Sequence, residues 1–290
     1  MQEVHCSFYK KINELDDGTY SIARYHAISE VPKLALWKQD IFTVLGRDLP
    51  RQKNREIIFY GEWKENIYKK RKSLQFHAER FKVLLPETKE AIQEVLADEV
   101  PGIGKKTAKA IVDAFGTDTF HVLKEPPKHE TIPRIKLMAV RNFIKAEERK
   151  ERLCYLMGTY DLKKGQARKV LKAFGEDATE MLDANIYNLY KAGISLADIE
   201  MNHEPSEEEK NDTIRIRCGI YSAITRLCKN KGHTFIYEND LINETYYVMH
   251  KNIPKATIMF ALDYFKSQLV DESIVYEDGK FFLQEYYDAE

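Results

Sequence analysis

The sequence predicts an α+β chain of several domains: a small β-barrel first, a helical domain next, and a helical unit closed by a β-hairpin last. Three observations carry this. Five β-rich segments fill the first 85 residues, the hydrophobic period changes from two to 3.6 at Pro86, and two short strands flank a Glu277-Asp278-Gly279 turn near the end. At 290 residues the chain is longer than the usual single domain. The expected segments are a β-rich 1–86, a helical 87–202, an acidic, proline-interrupted linker at 203–212, and a helical 213–290.

The β-rich segments are 6–12, 19–27, 41–45, 56–63 and 74–85, with Asp16-Asp17-Gly18 as one of the turns between them. Five short strands at this spacing make an OB-like barrel by count. Its aromatics, Trp37, Phe59, Tyr60, Trp63, Tyr68, Phe76 and Phe81, lie among basic residues, and alternate ones in a strand point into the core. Tyr68, in a loop expected over 64–73 beside Lys69, Lys70, Arg71 and Lys72, is the one best placed to stack on a nucleic-acid base.

Pro86-Glu87-Thr88 is a helix-start signal, and Ala91, Ile92, Val95 and Leu96 form the first apolar helical face. The helix must stop at Val100-Pro101-Gly102-Ile103-Gly104, where proline and two glycines permit a tight turn and Ile103 can anchor it in a core. A new helix opens at once with Lys105-Lys106-Thr107-Ala108 and ends at Ala114-Phe115-Gly116. This is a helix-hairpin-helix pattern. Its second helix presents unpaired N–H groups and the positive end of its dipole, with two lysines beside them, which suits a phosphate. The candidate backbone-binding residues are therefore Gly102, Ile103, Gly104, Lys105, Lys106 and Thr107.

The pattern recurs. Ala108, Ile111, Val112, Ala114, Phe115 and Gly116 are matched 59 residues later by Ala167, Val170, Leu171, Ala173, Phe174 and Gly175, with Asp161-Leu162-Lys163 in place of Gly-Ile-Gly. A weaker copy at an offset of 32 sets Ile132-Pro133-Arg134-Ile135-Lys136 against Val100 to Gly104. Without glycines, these copies offer side-chain charge rather than bare amides. Arg134, Lys136, Lys163 and Lys164 are auxiliary candidates.

Charge is balanced overall, with 45 basic against 46 acidic residues, so any nucleic-acid surface must be local. Residues 61–82 and 133–152 each hold seven Lys/Arg against three Glu, whereas 271–290 hold seven acids and one lysine. The four cysteines are dispersed without a C-x-x-C pair, which argues against a zinc ribbon or an iron–sulfur loop. No signal peptide or long apolar run is present, and a reduced cytoplasmic setting is expected. Beyond residue 212, helices are expected over 213–228, 239–250 and 254–268, followed by the hairpin. Helices leading into a two-stranded ribbon resemble a winged-helix unit.

Further strings, Ile41-Phe42-Thr43-Val44-Leu45-Gly46, Ile58-Phe59-Tyr60-Gly61-Glu62-Trp63, Leu84-Leu85-Pro86, Asn185-Ile186-Tyr187-Asn188-Leu189, Gly193-Ile194-Ser195-Leu196-Ala197-Asp198, Gly232-His233-Thr234 and a terminal Asp288-Ala289-Glu290, occur in that order around the hairpin. Together these resemble the N-terminal region of RecD-like ATP-dependent DNA helicases, related to the exodeoxyribonuclease V alpha chain. The resemblance implies a DNA-positioning region ahead of a motor that uses ATP and magnesium. Its implied partners are DNA, the chain's own motor and single-strand-binding protein. Ile186 stands where the family commonly has proline.

A motor needs G-x-x-x-x-G-K-[ST] to cradle phosphate, and no match occurs. Gly104-Lys105 is followed by Lys106 and Gly279-Lys280 by Phe281. The chain is thus expected to be non-catalytic by itself, a fragment or accessory region ending at a domain boundary, with no cofactor or metal of its own. The hairpin also resembles that of base-excision glycosylases, with Lys106 at their Schiff-base position. Their catalytic aspartate would fall at Leu123, which argues against that chemistry.

Overall fold

The computed structural model describes residues 1–15, 20–52, 55–68, 71–267 and 274–288. Lys69, Lys70, the side chains of Tyr68 and Arg71, the Asp16-Asp17-Gly18 turn and the final Ala289-Glu290 lie outside the described residues. The chain divides into two compact units, residues 1–162 and 163–290.

The first unit begins with β1 (Gln2–Leu15), β2 (Tyr20–Ala27), β3 (Leu36–Lys38), β4 (Ile41–Arg47), β5 (Glu56–Tyr68) and β6 (Arg71–Val83). β1 pairs antiparallel with β2 and β5, β2 with β4, and β5 with β6, while a parallel β4–β6 ladder closes the ring. The short β3 pairs only with β4. The result is a closed five-stranded barrel, as the five β-rich segments predicted. Inward positions alternate, so that Tyr25, Phe42, Phe59 and Phe76 are fully buried at its centre. The Tyr25 hydroxyl donates to the Pro50 carbonyl at 2.8 Å, which satisfies the one polar atom this ring takes inside.

The loop expected over 64–73 is instead paired strand. The β5–β6 register runs on from Trp63↔Phe76 to Tyr68↔Arg71. Lys64, Glu65, Ile67 and Lys72 are all exposed, and past Leu74, which still packs on the barrel core, neither face of these arms covers one. The alternation that marks a half-buried strand is therefore missing from their sequence.

Helices α1 (Lys89–Glu99), α2 (Lys105–Phe115), α3 (Thr119–Val122) and α4 (Arg134–Thr159) follow. Thr88 caps α1, its hydroxyl accepting from the Ala91 amide at 3.4 Å. Ile92, Val95, Leu96, Ile103, Ala108, Ile111, Leu137 and Val140 share one buried cluster. Near its end α4 passes so close to β6 that a Cβ on Gly158 would lie 2.4 Å from the Glu79 carbonyl oxygen. Only glycine permits that approach.

Arg55 fastens barrel to helices. Its side chain is fully buried; Nε donates to the Leu84 carbonyl (3.0 Å) and Nη2 to that of Val83 (3.3 Å), while Nη1 reaches Glu99 (3.2 Å) on α1 and Glu147 (2.5 Å) on α4. Burial pushes the Glu147 carboxyl up, but the hydrogen bond from Lys150 and the Arg55 guanidinium together hold it below the usual carboxylate range.

The second unit holds α5 (Lys164–Phe174), α6 (Ala178–Ala184), a 3₁₀ segment (Ile186–Ala192), α7 (Leu196–Glu200) and α8 (Thr213–Thr225), which runs into a π turn (Arg226–Asn230). Then come β7 (Ile236–Tyr237), α9 (Glu238–Val248), α10 (Lys255–Lys266), β8 (Ile274–Glu277), β9 (Lys280–Leu283) and α11 (Gln284–Tyr287). The sheet order β7-β9-β8 puts the terminal hairpin against the strand that precedes α9, a winged-helix-like arrangement.

The acidic run before α8 is folded onto it. Asp212 caps α8 by accepting from Ile214 (2.7 Å) and Arg215 (3.1 Å), and the buried Arg215 bonds Glu200 (2.7 Å) and the Lys210 carbonyl (2.9 Å). Among the described residues no helix is long and apolar enough to cross a membrane.

Candidate nucleic-acid interface

The turn from α1 to α2 has the geometry its sequence requires. Gly102 takes φ +77°, in the left-handed region that favours glycine, Ile103 is buried at 3% exposure, and the Ile103 amide donates to the Val100 carbonyl at 3.1 Å. Gly104 is the N-cap of α2, and a Cβ added there would meet nothing within 4 Å. No side chain caps this helix, so the amides of its first turn point outward beside the exposed Lys105 and Lys106. The aliphatic anchor and the bare helix start are two ends of one device: the first fixes the turn, the second leaves it open.

A third cation joins them. Lys136, on the first turn of α4, places Nζ 2.7 Å from the Gly102 carbonyl. Asp98 and Glu99 close α1 on the other side, and Glu99 is held by Arg55. Arg134 is turned away, its guanidinium donating to the Pro126 and Pro127 carbonyls.

The second copy needs a new register. Ile135 is 74% exposed, whereas Ile132 is buried at 4% and is followed by Pro133 as the N-cap of α4. Ile132-Pro133, 29 residues after Ile103-Gly104, is thus the counterpart, and Arg134-Ile135-Lys136 is helix rather than turn. Proline fixes φ for a helix start without glycine, which is why the sequence disguises it.

The third copy keeps the turn without glycine. Asp161 adopts φ +49°, Leu162 is buried at 5%, and Lys163 is the N-cap of α5, its amide donating to the Gln166 side chain at 2.9 Å. Asp161 pairs with Arg47 at 3.1 Å, so its turn carries a carboxylate where Gly102 carries none. Lys163 and Lys164 stand at the start of α5, and Lys72 pairs with Glu65 at 3.6 Å.

The string Gly193-Ile194-Ser195 is a further turn of this type, which its sequence does not mark as a hairpin copy. Gly193 takes φ +74°, Ile194 is 2% exposed and Ser195 caps α7. Lys169 Nζ lies 3.5 Å from the Gly193 carbonyl, as Lys136 lies at Gly102. Carrying Ile132 forward by about the 59-residue repeat would have pointed here. Its amides are taken, however: Leu196 donates to the Ser222 hydroxyl (2.7 Å) and Asp198 to that of Ser195 (3.2 Å). Of the three hairpin turns at Gly102, Asp161 and Gly193, the third opens a helix capped by its own N-cap side chain, the second one whose N-cap amide is taken by Gln166, and the first one with neither.

Leu123 is fully buried in the helical core, with no carboxylate at the position a glycosylase would require. Residues 146–235 match a family model, the ATP-dependent RecD2 DNA helicase HHH domain. This part of the chain, from the middle of α4 to the residues just before β7, is similar to the helix-hairpin-helix domain of those helicases.

Proposed function

We propose that the chain is a DNA-binding, non-catalytic region of a RecD-like helicase that holds the nucleic-acid backbone without reading sequence. The uncapped start of α2 carries this reading: its free amides, the open space at Gly104, and Lys105, Lys106 and Lys136 converge on one exposed turn. Gly102 and Ile103 shape the turn, and Thr107 completes the first helical turn. Arg134, Lys163, Lys164 and the β5–β6 arms around Tyr68 to Lys72 are auxiliary at most. The division into an OB-like barrel (1–86), a hairpin domain (87–202), a short acidic connection (203–212) and a winged-helix-like segment (213–290) is proposed as the functional one. ATP and magnesium belong to the parent motor, and the setting is cytoplasmic.

The test is fluorescence anisotropy with single-stranded and forked DNA. Lys105→Glu with Lys106→Glu is expected to weaken binding roughly ten-fold or more at low salt and to reduce the slope of log K against log salt by about two, one unit per lost phosphate contact. Unchanged affinity and slope in a folded variant refute the hairpin as the contact.

One observation favours a second reading, a scaffold that docks a protein such as single-strand-binding protein. The outer face of α10 shows Phe260 (74% exposed), Met259 (49%) and Asp263, a surface unsuited to phosphate. Salt-resistant capture of that partner with no DNA binding would decide for it.

A further inference from the structure

The second unit carries a half-open cavity of about 640 Å³ between α7, α8, its π turn and the end of α9. That volume suits a small organic ligand. Three features of its lining go beyond packing. Thr225 lies in the wall with its hydroxyl shielded from solvent and unpartnered, an acceptor and donor left idle where buried polar groups are normally satisfied. His250 and Lys251 form the rim with two consecutive left-handed conformations, φ +55° and +62°, which side chains other than glycine seldom hold and which tend to mark functional loops. Tyr247 stands at the mouth, 56% exposed, with the Arg226 guanidinium 5.1 Å from its ring centre.

The charge at this site is favourable to an anion. Glu200, the carboxylate in the wall, is neutralised by Arg215 at 2.7 Å; Arg226 shares Glu244 (3.3 Å) with Lys231 (3.0 Å), so that one carboxylate meets two cations and, with Lys251, the rim keeps a net positive charge. The aromatic plane, the cations beside it and the hydroxyl and amide of Thr225 and Asn230 are the parts needed for a planar ring joined to a phosphate. An acidic peptide would use the cations but leave the exposed ring face without a planar partner.

We propose that this cavity takes one nucleotide of single-stranded DNA, its base against Tyr247 and its phosphate between Arg226 and Lys251. The inference rests on the DNA-binding reading above and adds a second contact, separate from the turn at Gly102.

The experiment is a titration of the full chain with dTMP and with an oligothymidylate, followed by NMR shifts of residues around Tyr247 and His250. Thr225→Val, Arg226→Gln and Lys105→Glu/Lys106→Glu are compared with the wild type. Thr225→Val removes a hydroxyl that has no partner, so it is expected to fold at least as well as the wild type while binding dTMP about three- to ten-fold more weakly. Arg226→Gln is expected to lose roughly ten-fold or more, and the hairpin variant to bind dTMP normally.

Oligothymidylate that binds and is weakened by the cavity variants supports the proposal. Oligothymidylate binding that depends on the hairpin alone, with no shifts at the cavity from millimolar dTMP, overturns the cavity and leaves the DNA-binding reading intact. Binding of dTMP without any DNA binding overturns the strand contact and the DNA-binding reading together. An acidic peptide that shifts the cavity residues where dTMP does not overturns the proposal in favour of a protein partner.

Discussion

Replacing Arg55 with methionine removes the fastening between barrel and helices without opening a large void. The guanidinium makes two bonds to carbonyls and two to carboxylates while fully buried. Breaking a buried ion pair from one side costs about 3–5 kcal/mol, because the partner is left charged and unpaired. Here the orphaned groups have partial relief: Glu147 keeps Lys150 at 2.7 Å, and the Glu99 side chain is 28% exposed and can reach water. The lower end, about 3 kcal/mol, is therefore expected. For a unit of 162 residues this corresponds to a fall in Tm of about 6–12 °C.

Both tryptophans, Trp37 and Trp63, lie in the barrel, so fluorescence during urea unfolding reports on this unit. The midpoint should fall with m unchanged. Glu147→Gln should couple to Arg55→Met in a double-mutant cycle. The Glu147 carboxyl is held below its ordinary value, so its contribution is present above the unfolded pKa and disappears as pH falls through the lower folded one. The gap between wild type and Glu147→Gln should accordingly close on acidification. A loss below about 1 kcal/mol, or zero coupling, would refute the fastening role.

Two further outcomes follow from single contacts. Gly158→Ala gains helix propensity but places a Cβ 2.4 Å from the Glu79 carbonyl oxygen, so a net loss of about 1–3 kcal/mol is expected by urea unfolding; a stabilised variant would mean that α4 stands off the barrel. The His5 imidazole, donating from Nδ1 to Glu56 at 2.5 Å and from Nε2 to Glu3 at 2.7 Å, has its pKa raised chiefly by those two bonds. Its stabilisation is complete below about pH 6.5, the unfolded value, and is lost as pH rises through the higher folded value. The wild type should lose its advantage over His5→Asn across that interval, and a gap independent of pH contradicts the pairing.

How much could be read in advance depended on whether a residue faced a core. The barrel strands alternate because one side packs on Tyr25, Phe42 and Phe59, and their pattern was plain. The β5–β6 arms past Leu74 face solvent on both sides and carry no such pattern, so their sequence reads as a loop. Thr88 and the proline-glycine turn located the start of α1 and the hairpin through local backbone chemistry. Arg55 could not be found this way, since its partners are 44 and 92 residues distant and lie on two different helices. The cavity was equally hidden, being lined by residues scattered from Ser195 to Lys251.

The hairpins explain why glycine is a poor guide to the fold and a better one to the site. What the turn needs is one left-handed residue, one buried aliphatic and one N-cap; Gly102-Ile103-Gly104, Asp161-Leu162-Lys163 and Gly193-Ile194-Ser195 all meet that need. Asp161 tolerates the conformation at modest cost, so loss of glycine leaves the turn standing. What changes is the surface it offers. A serine N-cap consumes an amide that glycine leaves free, and Asp161 puts a carboxylate paired with Arg47 where Gly102 leaves bare backbone. The turn is the same in all three places and only the surface it presents differs, so substituting Gly104 is expected to be felt in binding before it is felt in folding.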